Sequence, residues 1–127
     1  MKTAIINSDS YEKHITGDGH PEQPKRVIAI KEKLSKRKDL IWDKPDKVQD
    51  EILAMTHSND YIENLKNSFP QMGLKFLDGD TVVSPESKKA VFEAAGSTIR
   101  AIDGIENNQF KNAFCLSRPP GLSLIHI

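Results

Sequence analysis

The chain has 127 residues, enough for one domain that buries about two-thirds of its unfolded surface. Its 18 basic and 18 acidic residues give a formal net charge of zero, which argues against nucleic acid or an anionic membrane as its main partner. Its single cysteine rules out an intramolecular disulfide, and no segment could serve as a signal peptide or a membrane span, so we expect a cytoplasmic protein.

A short β-prone run, Ala4–Ile6, predicts the first strand, which the polar residues 7–10 end. Residues 8–24 are rich in glycine, aspartate, histidine and proline, and they predict a long irregular segment. Long loops in compact domains are often functional, so this loop is the first candidate for a site.

A helix is predicted from residue 22 onward, because apolar residues then recur at helical spacing. The basic run over residues 31–38 is interpreted as the solvated face of this helix. A short apolar run, Leu40–Trp42, predicts the second strand. The apolar face of the helix consists of Val27, Ile30 and Leu34.

Two further helices are predicted before Pro70, which ends the second of them. Asp46 can cap the first helix and Ser58 can cap the second. The inward residues are Val48, Ile52 and Met55 in the first helix, and Tyr61, Ile62 and Leu65 in the second.

The second half of the chain predicts a loop over residues 77–81 and then a long helix. Ser84–Glu86 is a strong helix start, with a cap, a proline at the first helical position and an acid in the first turn. The small residues 94–97 predict close packing against another element, and Gly104 is placed to end the helix. The inward face consists of Val91, Ala94, Ala95, Thr98, Ile99 and Ile102.

Asn107–Asn108 predicts a turn before a buried last strand at Ala113–Leu116, in which Cys115 is interpreted as a structural thiol. Arg118 is followed by two prolines and a glycine, which predict a rigid turn. Such a turn at the end of a buried strand is where α/β enzymes commonly place reactive groups. The order of elements predicts part of an α/β fold with a parallel sheet and flanking helices.

The four histidines lack the compact spacing of a zinc site. His14 and His20 share the irregular loop with Asp18 between them, so a metal site there is one interpretation. We favour the other interpretation, in which the imidazoles hold the loop through hydrogen bonds. His57, beside Ser58, is interpreted as a capping or packing residue.

Two positions leave two interpretations open. Asp78 and Asp80 flank Gly79, and they either form a turn or supply a rim carboxylate that accepts hydrogen bonds from a substrate backbone. Spacing alone favours the turn. Arg26 precedes Val27, and its side chain either faces solvent or projects into a cavity.

Several segments in order resemble the zinc-dependent histone deacetylase family, including its bacterial deacetylase-like and acetoin-utilisation members. Each segment alone is a weak signal, whereas five in the family's order across residues 3–121 are a strong one. The segments are Gly19–Arg26, His57–Ile62, Asp78–Thr81, Ser84–Ser87 with Ala94–Gly96, and Asn112–Phe114 with Arg118–Gly121.

The resemblance implies a partial, truncated arginase/deacetylase-like α/β fold. It also implies hydrolysis of an acetyl-amide, of the acetyl-lysine or acetylpolyamine type, by a zinc-bound water. By the same likeness Asp80 is a rim carboxylate that holds the substrate, and Gly121 also contacts it. Arg26 would line an internal cavity, and His20 and Pro21 would shape the pocket wall.

The chain departs from the family after Gly121, where the family continues with two histidines. Leu122 and Ser123 stand at those positions and cannot replace two imidazoles. The resemblance therefore gives this chain no catalytic residue and no metal ligand, and zinc is expected only in the complete enzyme. Residues 1–121 are interpreted as the N-terminal part of a deacetylase-like domain. Residues 122–127 are interpreted as a non-native tail, because they resemble a reading frame of the transposase end sequence used in DNA library preparation.

The favoured function is thus an inactive N-terminal fragment of a deacetylase that acts on acetylated amines or acetyl-lysine, with the oligomeric state left open. One alternative is a genuine short protein, a non-catalytic binding module that uses the loop Gly17–Arg26. A third option, a helical nucleic-acid binder using Lys31–Lys38, is opposed by the neutral net charge.

Overall fold

The structure is a computed structural model that describes residues 2–120, so Met1 and residues 121–127 lie outside the described part. A turn of 3-10 helix covers Asp9–Tyr11. In chain order the other elements are β1 (Thr3–Ile6), α1 (Lys25–Ser35), β2 (Leu40–Asp43), α2 (Asp50–Leu53), α3 (Asn59–Lys66), β3 (Lys75–Phe76), β4 (Val82–Val83), α4 (Ser87–Glu106) and β5 (Asn112–Cys115).

Three parallel strands form the main sheet, in the order β2–β1–β5. Thr3 of the central strand is opposite Leu40 on one side and Asn112 on the other. The next three residues of β1 are buried, as expected for a parallel strand that is covered on both faces. The predicted α/β fold with a parallel sheet and flanking helices is therefore confirmed, as are the positions of its three predicted strands. The last strand is not buried as predicted, since it lies at the edge of the sheet and Phe114 is 49% exposed.

The core lies on both faces of β1, because successive side chains of a strand point to opposite faces. Ile5 packs with one cluster of buried side chains, and Ala4 and Ile6 pack with another. The first cluster contains Tyr11, Val27, Ala90 and Leu116, and the second contains Ala101 and Phe110.

Helix α1 was predicted correctly, but its buried face was only partly correct. Val27 is buried and Leu34 packs against the core, whereas Ile30 is 40% exposed. Lys31 is partly buried, and its Nζ lies 3.0 Å from an oxygen of the Glu12 carboxylate. A basic residue of the supposed solvated face therefore binds the loop after β1.

The helix predicted from Asp46 is wrong in its start and its inward face. Residues 44–49 precede α2 without helical structure, and the buried Val48 donates its N–H to the carbonyl of Phe92 at 3.0 Å. The predicted inward residue Met55 is 81% exposed. The next helix was predicted correctly, because Ser58 caps α3 by accepting a hydrogen bond from the N–H of Tyr61 at 3.2 Å.

Helix α4 begins at Ser87, two residues after the predicted start at Pro85. The predicted close packing is confirmed, since a Cβ on Gly96 would lie 1.7 Å from the carbonyl oxygen of Asp46. The predicted inward residue Ile102 is exposed instead. Small and polar side chains face inward because the helix lies so close to its neighbours. They belong to a buried set consisting of Ser87, Ala90, Phe92, Glu93, Gly96, Ser97, Ala101 and Gly104.

Gly104 does not end α4, which continues to Glu106. It instead leaves room for an aromatic ring, because a Cβ there would lie 2.0 Å from Cζ of Phe110. The turn predicted at Asn107–Asn108 is confirmed, and Asn108 has a positive φ of 56°.

A small hairpin was missed by the sequence interpretation. β3 and β4 pair antiparallel, with Lys75 opposite Val83, and the predicted loop 77–81 connects them. Two-residue strands leave too short a pattern for recognition. No helix within residues 2–120 has the length and apolar character needed to cross a membrane.

Candidate functional site

Two segments follow the carboxyl ends of neighbouring parallel strands. Residues 7–24 follow β1, and residues 116–120 follow β5. In parallel α/β sheets ligands bind outside the carboxyl ends of the strands. The candidate site is therefore at this edge of the sheet, where the two segments meet.

The guanidinium of Arg118, 1% exposed, joins these segments. Nε and Nη2 each bind one oxygen of the Glu22 carboxylate at 2.7 Å. Nη1 donates to the carbonyls of Tyr11 at 2.6 Å and His14 at 2.8 Å, and Nη2 also reaches the Glu22 carbonyl at 3.4 Å. All five N–H groups of an arginine thus have partners, and every partner lies in the loop after β1.

Glu22 extends the network towards the rest of the loop. Its carbonyl accepts a hydrogen bond from the Thr16 hydroxyl at 2.6 Å. Its backbone N–H donates to Nδ1 of His20 at 3.1 Å. Because Nδ1 acts as an acceptor, the ring proton of the neutral imidazole must be on Nε2.

That Nε2–H group reaches the hairpin. It donates to the carbonyl oxygen of Asp80 at 2.8 Å, across 60 positions of sequence. The backbone N–H of Asp80 in turn donates to the Asp78 carboxylate at 2.8 Å, as does that of Thr81. His20 and Asp80, predicted as pocket wall and rim, are therefore brought together by a direct hydrogen bond.

His14 forms the second buried contact of the loop. Its Nδ1 lies 2.6 Å from the hydroxyl oxygen of Ser87, at the start of α4. Burial, followed by the positive charge of Arg118, lowers the pKa of His14 to about 4. The imidazole is therefore neutral at pH 7. Both histidines hold the loop through hydrogen bonds, so the favoured sequence interpretation is confirmed.

The other predicted site residues lie near this network without being buried in it. Arg26 is 56% exposed, and its Nη1 lies 3.4 Å from an oxygen of the Glu22 carboxylate. Pro21 and Asp80 are exposed, and Gly121 lies outside the described residues. Their roles as cavity, wall and substrate contacts remain predictions.

The sequence interpretation did not identify Glu22 and Arg118 as partners. A signal was present, since Arg118 is the single charged residue after Lys111 and lies two residues after the predicted last strand. A charge in such a position requires a partner of opposite sign, because an unpaired buried charge is costly. The sequence did not indicate which acidic residue that partner would be.

An apolar groove of about 380 Å³ lies between α3 and α4 and extends to Pro119 and Pro120. At its edge the rings of His57 and Tyr61 pack with their centroids 5.1 Å apart, so the packing interpretation of His57 is confirmed. On the opposite side of α4, the Cys115 thiol lies 3.5 Å from the Ser97 carbonyl.

A zinc ion requires three or four converging His, Cys, Asp or Glu side chains. Within residues 2–120 no group of three or more such side chains is arranged to hold a metal ion. One nitrogen of His14 and both nitrogens of His20 are already engaged in hydrogen bonds. The described residues therefore do not fit a zinc site.

Comparison with known proteins gives a consistent result. The family model of the histone deacetylase domain matches residues 20–121. An uncharacterised protein of Synechocystis is 38% identical over 127 residues, covering 93% of this chain and 40% of the relative. A probable deacetylase of Archaeoglobus fulgidus is 28% identical, covering 95% of this chain and 34% of the relative. The chain thus spans two fifths or less of the length of these relatives.

A solved structure supports the fold. The crystal structure of the HDA15 HD domain superimposes with a TM-score of 0.84 at 24% identity, covering 94% of this chain and 36% of that one. The three-stranded sheet and its helices therefore correspond to part of a larger domain, which agrees with the predicted partial fold.

Proposed function

Because the chain belongs to the histone deacetylase family, we propose that it is the N-terminal part of a zinc-dependent deacetylase that hydrolyses acetyl-amides. Acetylated amines or acetyl-lysine are the proposed substrates of the complete enzyme. The observation that carries the proposal is the family match over residues 20–121, which contains both partners of the His20–Asp80 hydrogen bond.

Within the proposed enzyme this chain contributes pocket wall. Asp80 is the rim carboxylate that accepts hydrogen bonds from the substrate backbone, and its exposure leaves it accessible to a ligand. His20 and Pro21 form the wall beside it, Arg26 faces an internal cavity, and Gly121 contacts the substrate. The exposed carboxylate of Asp80 can accept hydrogen bonds from the substrate, whereas the imidazole of His20, whose two nitrogens bind Asp80 and Glu22, contributes to the wall beside it.

The zinc chemistry belongs to parts of the enzyme outside this chain. When bound in the complete enzyme, zinc polarises the substrate carbonyl and acidifies a water molecule. We propose that the chain itself is inactive, cytoplasmic and not a nucleic-acid binder, in keeping with its single cysteine and its net charge of zero.

The experiment is an assay of the purified 127-residue chain on acetyl-lysine peptides and acetylpolyamines, with and without added zinc. The proposal expects no turnover above the rate without enzyme. Robust deacetylation that a chelator removes would contradict the proposal that the zinc-binding residues lie outside this chain.

A second candidate is a non-catalytic binding module that uses the loop Gly17–Arg26. One observation favours it, because all five N–H groups of the Arg118 guanidinium bind atoms of the loop after β1, so this chain supplies contacts that order the loop. A cooperative thermal transition of the isolated chain would support this candidate, and non-cooperative melting would count against it.

A further inference from the structure

We propose that Arg118 and Glu22 are positioning residues for Asp80, and that they act through the imidazole of His20. The link between Asp80 and substrate rests on the proposed function. The positioning itself rests on the contacts of the described residues alone. The Arg118–Glu22 ion pair thereby fixes the position of the hairpin loop 77–81 relative to the turn after β5.

The first step is the anchoring of Glu22. Its carboxylate forms a bidentate pair with a guanidinium that is almost fully buried. Bidentate pairs of this kind fix orientation as well as distance, because two parallel N–H donors face two oxygens. The backbone of Glu22 is fixed with the side chain, since its carbonyl also binds Arg118 and the Thr16 hydroxyl.

The second step is the selection of one imidazole tautomer. The fixed backbone N–H of Glu22 points at Nδ1 of His20, which therefore carries no proton in the neutral ring. The proton resides on Nε2, and that nitrogen becomes a donor directed away from Glu22. If Glu22 were displaced, its N–H would no longer restrict the imidazole of His20 to the tautomer with the proton on Nε2.

The third step is the attachment of the hairpin loop. The Nε2–H group binds the carbonyl of Asp80, whereas the backbone N–H groups of Leu77, Asp80 and Thr81 bind acceptors within the loop itself. The first flanking strand is exposed, with Phe76 at 67%, and the second is buried at Val82 and Val83, so the bond from His20 ties the exposed tip of the loop to the segment after β1. The position of Asp80 relative to Arg118 therefore depends on the ring of His20.

A purely structural role makes a different prediction from a positioning role. If Arg118 and Glu22 only stabilised the loop after β1, Glu22→Gln would accelerate exchange in that loop and leave residues 77–81 as protected as in the unmodified chain. If the relay operates, removal of the imidazole loosens residues 77–81 while the contacts of Arg118 with Tyr11 and His14 persist. The two roles are separated by where in the chain the change is seen.

The test is amide hydrogen exchange on the 127-residue chain. His20→Ala is expected to accelerate exchange at residues 77–81 roughly tenfold and to leave residues 11–16 unchanged, because local openings are set by local contacts. Glu22→Gln is expected to accelerate exchange in both segments. Asp39→Asn removes an exposed carboxylate paired with Arg37, and it serves as the control that changes neither.

His20→Gln provides the rescue, since its side-chain amide N–H can take the place of the Nε2–H donor. It is expected to restore most of the protection at residues 77–81. Unchanged exchange there in His20→Ala, failed rescue by His20→Gln, or a hairpin unprotected in the unmodified chain would each overturn the proposal. If Glu22→Gln fails to fold, Arg118→Lys, which keeps the positive charge and loses the bidentate pair, takes its place and is expected to accelerate exchange in both segments. None of these exchange measurements depends on catalysis. The positioning proposal can therefore fail while the proposed function stands, and the reverse is also possible.

Discussion

Arg118 donates two hydrogen bonds of 2.7 Å to the carboxylate of Glu22 across 96 positions of sequence. Through this pair the turn after β5 holds the loop after β1. The loop in turn holds the hairpin through the His20–Asp80 bond. The proposed positioning of Asp80 thus begins at one ion pair at the carboxyl edge of the sheet.

Arg118→Met is expected to lower the free energy of unfolding by about 3–5 kcal/mol, because the largely buried Glu22 carboxylate loses its buried partner and keeps as a charged partner only the exposed Arg26 at 3.4 Å. The carbonyls of Tyr11 and His14 lose their donors as well. Urea denaturation measures the change. Arg37→Met is the matched control, since Arg37 pairs with Asp39 at the surface and its loss should cause no measurable change. Equal effects of the two substitutions would contradict the account.

The stability of the chain is expected to fall as the pH drops from 6.5 to 4. Burial, followed by the charge of Arg118, lowers the pKa of His14 from 6.5 in the unfolded chain to about 4 in the folded one. The unfolded state therefore binds more protons in this window, and the loss is about 1.4 kcal/mol per pH unit.

His14→Asn isolates this contribution, because asparagine retains a polar group beside Ser87 and does not titrate. The difference in unfolding free energy between the two proteins should be constant above pH 6.5 and should change below it. Parallel pH profiles over the whole range would show that His14 is not the group responsible.

Gly96→Ala is expected to destabilise the fold by about 1–3 kcal/mol despite the better helix propensity of alanine. The added Cβ would lie 1.7 Å from the backbone oxygen of Asp46, which cannot rotate away as a side chain would. Gly79→Ala is the control, since its Cβ would meet no atom within 4 Å. Thermal denaturation compares the two, and a neutral Gly96→Ala would contradict the close packing of α4.

Local features were predicted well from the sequence because they depend on neighbouring residues. Ser58 caps α3 through the N–H of Tyr61, three positions away. The three parallel strands are short apolar runs, and they were recognised because the residues in these runs do not recur at helical spacing. The inward faces were less accurate, since Lys31 of the supposed solvated face binds Glu12, a residue in another segment.

The site was predicted only as separate segments. The resemblance supplied His20 and Asp80 individually, but their hydrogen bond spans 60 positions and depends on the hairpin that periodicity missed. The pairing of Arg118 with Glu22 was likewise unpredictable, because the sequence offers many acidic residues and does not rank them. Long-range partners are determined by the packing of α4 and the sheet.

The central claim is that the chain is the beginning of a larger deacetylase, and the DNA that follows the codon for Gly121 tests it most directly. We propose that the natural gene continues with codons for two histidines and then for further deacetylase-like sequence, in place of Leu122 and Ser123. Resequencing of the locus with long reads would show this continuation. A genuine stop codon after Ile127, with no deacetylase-like codons downstream, would contradict the claim and favour the short binding module.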